Sequence, residues 1–160
     1  TETLSLADTP SEPGHQDIEG IARNVYNSVC MTDPSQSPTV TGLDFAKQVA
    51  RLAAESRAED VVVLDLRTLS AIADFFVIAT GTSDRQMRAV AEKIEEYGRS
   101  VQQRVFGRSG YENATWLLVD YVDVVVHLFD AERREYYDLE LLWGDAPRIA
   151  WREDEITEAG

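Results

Sequence analysis

The seven residues Asp74-Phe-Phe-Val-Ile-Ala-Thr80 constrain the fold more than any other stretch of the chain. Five of them are β-branched or aromatic, and the run is too apolar to form a strand with one face in water, so it predicts a strand lying centrally in a sheet. Gly81-Thr82-Ser83 then turns the chain into a helix that runs to about Arg99. Its apolar stripe is Met87, Val90, Ala91, Ile94 and Tyr97, spaced for one helical face. Two more strands, Thr115 to Asp120 and Val122 to Phe129, almost abut. Upstream, Asp44 to Ala58 reads as a helix with Phe45, Val49, Leu52 and Ala53 on one side, and Val61 to Leu66 as a short β-branched strand. A last helix is expected from near Asp130 through Tyr136–Trp143. The order α-β-β-α-β-β-α predicts an α/β fold, a mixed sheet with helices packed on it. The strand–helix–strand passage through residues 74–120 is expected to be a right-handed parallel crossover.

This domain is expected over residues 42–146. Residues 1–41 form an acidic extension that is rich in Pro, Ser and Thr at both ends, with a linker texture at 33–38. Within it Ile18, Ile21, Ala22, Val25, Tyr26, Val29 and Cys30 follow helical spacing, so an amphipathic helix is expected over 17–30. Residues 147–160 read as an acidic tail, opened by the helix breaker Pro147, in which Ile149 and Trp151 have the means to pack back on the domain.

Charge narrows the function. The net charge of −14 argues against direct binding to free nucleic acid or to anionic lipid, whose phosphates attract clustered Lys and Arg. A basic protein surface is the complementary partner. No apolar run approaches the roughly 20 residues that span a bilayer, and the acidic first twenty residues differ from secretory and transit signals, so no membrane and a cytoplasmic location are expected. The single cysteine, Cys30, fits a reducing compartment.

Catalytic chemistry is poorly represented. His15, His127 and Cys30 lie on separate elements, so no metal and no cofactor are expected. Gly81-Thr82-Ser83-Asp84 stands where backbone amides hold a phosphate, but it lacks the further glycine and lysine of a P-loop. Ser83 followed by Gln86 is instead a capping-box pattern. Two-metal nucleotidyl transfer needs two acids projecting to one side of a strand, and the chain contains no Asp-x-Asp. Its acid-x-acid pairs at 17/19, 130/132, 138/140 and 153/155 fall in expected helix or tail. Asp120 and Asp123 flank a short interstrand link with the wrong spacing.

Five further blocks of residues carry a resemblance. Val63-Leu-Asp-Leu66 and Ser70-Ala-Ile-Ala-Asp74 lead into the central strand and on to Gln86. Later come Trp116-Leu-Leu-Val-Asp120, Asp123-Val-Val-Val-His127 and Arg134-Glu-Tyr-Tyr-Asp-Leu-Glu-Leu-Leu-Trp143. In this order and spacing, over residues 44–146, the chain resembles the Iojap/RsfS family of ribosomal silencing factors. The resemblance implies a nucleotidyltransferase-like fold without catalytic acids, and a protein that is not an enzyme. It further implies binding to the large ribosomal subunit through a ribosomal protein of the L-fourteen family. Occupying that face blocks association with the small subunit and represses translation under nutrient limitation. Trp116, Asp120, Asp123, His127, Tyr137, Leu139, Glu140 and Trp143 are the candidate partner-binding residues it implies. A homodimer is left open, as are two rival readings: an acidic adaptor or oligomerisation module, and a nucleotidyltransferase-like enzyme. Two positions depart from the family pattern. Val122 stands where a glycine is usual, so that tight turn is expected to be made differently, and Ser109 replaces an acid before Gly110.

Overall fold

A computed structural model describes residues 40–152; the amphipathic stretch at 17–30 and the acids at 153–155 lie outside the described residues. The first helix, α1 (Gly42–Glu55), starts where Thr41 caps it. The Thr41 hydroxyl accepts from the Asp44 N–H at 3.1 Å, and Asp44 adds an acid to the first turn. Strands β1 (Glu59–Asp65) and β2 (Phe75–Thr80) follow, then helix α2 (Asp84–Ser100). Next come β3 (Gly107–Ser109), β4 (Trp116–Asp120) and β5 (Val124–Phe129), and two short helices, α3 (Ala131–Tyr137) and α4 (Leu139–Leu142). The five strands form one mixed sheet in the order β1-β2-β5-β4-β3. Among the described residues no helix is long and apolar enough to cross a membrane.

The central position expected for residues 74–80 holds: β2 pairs antiparallel with β1 and parallel with β5. The expected parallel crossover is corrected in its partner. It ends on β5, and β4 runs antiparallel to β5 one place further out. The short link between β4 and β5 forces those two strands into a hairpin, so only one of them can lie beside β2. The strand taking that place is β5, all six residues of which are buried.

Side-chain alternation gives the sheet two unlike faces. Phe75, Val77 and Ala79 of β2, Leu117 and Val119 of β4, and Val124, Val126 and Leu128 of β5 join the main core. Helices α1 and α2 complete that core with Phe45, Val49, Met87, Val90 and Ile94, most of the residues expected from the periodicity. On the opposite face Leu64, Ile78 and Phe129 meet Leu139, with Phe76, Trp116, Tyr137 and Trp143 partly buried around them.

Three local features modify the sequence reading. The edge strand β3 is an addition, three polar or small residues that pair with β4. Next to it Glu95 of α2 accepts from the Tyr111 hydroxyl at 2.8 Å and pairs with Arg108 at 2.6 Å. The last helix is broken at Asp138, whose left-handed backbone (φ 40°, ψ 59°) ends α3 while its carboxylate accepts from the Leu141 N–H at the start of α4. The third is the segment after Pro147. The Pro147 carbonyl accepts from the Asp65 N–H, the Ile149 N–H donates to Val63, and the Trp151 indole donates to the Val61 carbonyl at 3.3 Å. The outer edge of β1 is thereby covered instead of being left open for pairing.

At the β4–β5 link a valine takes up a backbone conformation that favours glycine. Val122 has φ 76°, and the Asp123 N–H donates to the Tyr121 carbonyl across it. The turn is held in place by the Asp120 carboxylate, which accepts from the Val122 N–H at 2.7 Å, and by the Tyr121 N–H, which donates to the Val124 carbonyl. A β-branched residue in this region costs about 1–3 kcal/mol. The turn is thus made with a β-branched residue at positive φ, held there by the strand pairing on either side.

Candidate interaction face

The second face of the sheet concentrates the aromatic residues. On β4 and β5, Trp116 is opposite Phe129 and Leu118 is opposite His127, which places Trp116 diagonally from His127 on the same side. The Trp116 ring stacks on Phe129 with centroids 5.1 Å apart and meets Tyr137 at 4.7 Å. Phe76 of β2 contacts His127 edge-on at 4.6 Å and Trp143 at 6.0 Å. Leu139 is buried and anchors α4 on this layer beside Phe129 and Ile78. Gly110 supports the layer from the edge. Its φ of 84° is in the region that favours glycine, and a Cβ there would sit 1.7 Å from the Trp116 carbonyl oxygen.

His127 is 2% exposed and lies inside this layer. Its Nδ1 accepts from the Trp116 indole N–H at 3.2 Å. Burial alone pulls the ring's pKa down to about 3, so it is neutral under ordinary conditions. A neutral imidazole that accepts at Nδ1 carries its proton on Nε2, and Nε2 has no hydrogen-bond partner among the described residues. Leaving such a donor unpaired costs about 1–3 kcal/mol.

The eight candidate residues do not converge on one patch. Trp116, His127, Tyr137, Leu139 and Trp143 share the aromatic layer, and Glu140 borders it. Asp120 and Asp123 belong to the other end of the β4–β5 hairpin, Asp120 about 13 Å along the strand from Trp116. Asp120 is 2% exposed and turned to the Val122 N–H; burial raises its carboxyl pKa, opposed by that hydrogen bond. Asp123 is exposed as a residue, and desolvation of its carboxylate together with repulsion from Asp74 raises its pKa. Glu140 accepts from Arg134 Nε at 2.8 Å and from Arg148 at 3.0 Å. Arg134 also donates to the Thr80 hydroxyl and the Asp60 carbonyl, so this acid closes a clamp between α4 and the ends of β1 and β2.

Residues outside the candidate set form the exposed part of the face. Tyr136 is 65% exposed, Leu141 77% and Leu142 59%. Tyr136 meets Tyr137 edge-on with ring centroids 5.1 Å apart, and Leu141 and Leu142 lie on the same one-turn helix as the buried Leu139. The signal for them was the run Leu139-Glu140-Leu141-Leu142, because a single helical turn cannot bury three leucines on one side. Reading 130–143 as one continuous helix hid it.

Chemical groups are sparse here. Among the described residues no three His, Cys, Asp or Glu side chains gather as metal ligands. At the β2–α2 turn the Ser83 hydroxyl accepts from the Gln86 N–H at 3.1 Å, and the Gln86 side chain accepts from the Thr82 N–H at 3.0 Å. These amides are used by the protein's own cap: Ser83 bonds Gln86 as the capping-box pattern predicts, and the Gln86 side chain reaches back one residue further, to Thr82.

Comparison with known proteins agrees with the motif order. Residues 39–159 match the family model described as "RsfS: Ribosomal silencing factor during starvation". The chain is 43% identical to ribosomal silencing factor RsfS of Bacillus subtilis over 105 residues, 63% of this chain and 89% of the relative. It is 35% identical to the chloroplastic protein Iojap of Zea mays over 127 residues, 78% of this chain and 55% of that one. A crystal structure of a Chromobacterium violaceum protein superposes with a TM-score of 0.63 at 31% identity, covering 66% of this chain and 88% of the other. A Bacillus halodurans structure gives 0.56 at 36% identity, covering 64% and 94%. The mixed sheet, the ordered motifs and a match over three quarters of its length together make this chain a member of the RsfS family of ribosomal silencing factors.

Proposed function

We propose that the protein binds the large ribosomal subunit through a ribosomal protein of the L-fourteen family and, by occupying that surface, keeps the small subunit from joining. The observation that carries this reading is an aromatic layer at Trp116, Tyr137 and Trp143 together with exposed Tyr136, Leu141 and Leu142 on the two short helices that contribute Tyr137 and Leu139 to it. Interfaces draw most of their energy from a few aromatic and aliphatic anchors in desolvated centres, with charges at the rim. The net charge of −14 favours approach to a basic ribosomal protein and opposes adventitious contact with RNA phosphates. The mechanism is steric: a bound domain on the joining surface needs no chemistry and no cofactor. Glu140, which borders the face, is engaged by two arginines, and Asp120, at the far end of the hairpin, by its own turn, which supports a binding protein over a nucleotidyltransferase-like enzyme. Repression of translation during starvation and a cytoplasmic site of action follow from the same reading.

Sedimentation through a sucrose gradient tests it. The protein is expected with large subunits and not with small ones, and added in excess it lowers the yield of joined ribosomes. Undiminished joining at saturating protein defeats the steric mechanism. Absence from the large-subunit fraction favours the acidic adaptor instead.

A further inference from the structure

We propose that His127 is a positioning residue, holding Trp116 in the orientation in which the interaction face is complete; this rests on the docking reading above. A histidine with an unpaired buried Nε2–H, set among Phe76, Trp116 and Phe129, is a poor packing choice. A phenylalanine offers a ring of similar size with no polar atom to desolvate. What histidine adds is an acceptor, and its Nδ1 is directed at the one donor of the Trp116 indole. The bond spans the sheet diagonally from β5 to β4, so it ties a half-buried ring to a strand whose every residue is buried.

The rest of the layer restrains Trp116 less specifically. Phe129 and Tyr137 contact the ring through their faces, and stacked or tilted rings slide and rotate at little cost. A hydrogen bond at the indole nitrogen fixes the rotation that those contacts leave free. Trp116 thereby satisfies its donor inward and does not leave it unpaired when the face is desolvated on docking. The neutral imidazole keeps this acceptor available across the ordinary pH range.

The test uses the full chain with His127→Phe, which deletes the acceptor, and His127→Asn, whose side-chain oxygen stands near the position of Nδ1. The Trp116 indole N–H resonance is assigned by its disappearance in Trp116→Phe. In His127→Phe the fold persists, the indole N–H moves toward the position of a free indole and exchanges with solvent about tenfold faster, and affinity for purified large subunits falls about three- to tenfold. His127→Asn recovers indole protection and most of the binding, even though the smaller side chain lowers the melting temperature. An unchanged indole signal in His127→Phe overturns the proposal, and so does lost protection with wild-type binding. Asparagine that protects the indole but binds as poorly as phenylalanine also overturns it. Failure of the wild-type protein to bind large subunits defeats the docking reading instead, and the indole spectrum then decides separately whether His127 orients the ring.

Discussion

Glu140 accepts a hydrogen bond from Arg134 across the break between α3 and α4, Oε1 lying 2.8 Å from Nε. The pair fastens a one-turn helix that has little backbone bonding of its own. Removing the charge by Glu140→Gln is expected to cost about 2 kcal/mol of stability, read as a lower denaturant midpoint. Glu140→Lys should cost more, because it sets a third cation beside Arg134 and Arg148. A Glu140→Lys protein with a wild-type midpoint and weakened binding would instead make Glu140 a contact residue.

Asp120 tests the other end of the hairpin. Its pKa is raised in the fold, so its protonated form is favoured there, and the carboxylate is a burden that grows as pH rises through the carboxyl range. Asp120→Asn keeps an acceptor for the Val122 N–H and removes that burden. The variant is expected to equal or exceed wild type in stability at pH 7, with any advantage disappearing below about pH 4, where the wild-type acid is protonated even when unfolded. Asp120→Lys should destabilise the fold before it affects binding. Denaturation curves at pH 4 and pH 7 decide both points.

Leu141 and Leu142 carry the strongest expectation for binding. Both are exposed, so Leu141→Asp with Leu142→Asp should change stability by no more than about 1 kcal/mol. Affinity for the large subunit should drop at least tenfold, or about 1.4 kcal/mol. Wild-type co-sedimentation by the doubly substituted protein would remove this helix from the interface.

At Val122, substitution by glycine relieves a β-branched residue from φ 76°. The glycine loses more chain entropy on folding, so the net gain is expected to be about 1 kcal/mol, seen as a melting temperature several degrees higher. A lower melting temperature would mean that the valine side chain packs favourably enough to outweigh the strain.

Much of this architecture is determined locally. The buried stripe of α2 and its Ser83 and Gln86 cap follow from spacing within one helix, and the apolar character of 75–80 requires a central strand. Alternation also separates His127 from Val126 and Leu128, since adjacent residues on a strand point to opposite faces. The motif order was sufficient to identify the family.

Tertiary structure decided which of these pieces meet. Local patterns carry no information on strand order, so the choice of β5 over β4 beside β2 came from the short hairpin link and the burial of β5. The same holds for the acids: in sequence Asp120, Asp123 and Glu140 are equivalent charges, but one closes a turn, one stays exposed, and one joins two arginines. Asp138 is helix-compatible in isolation, and only packing of Leu139 against Phe129 and Ile78 makes its left-handed break worthwhile and turns Leu141 and Leu142 outward. Propensity acts over a few residues, whereas burial and charge pairing depend on groups brought together from distant parts of the chain.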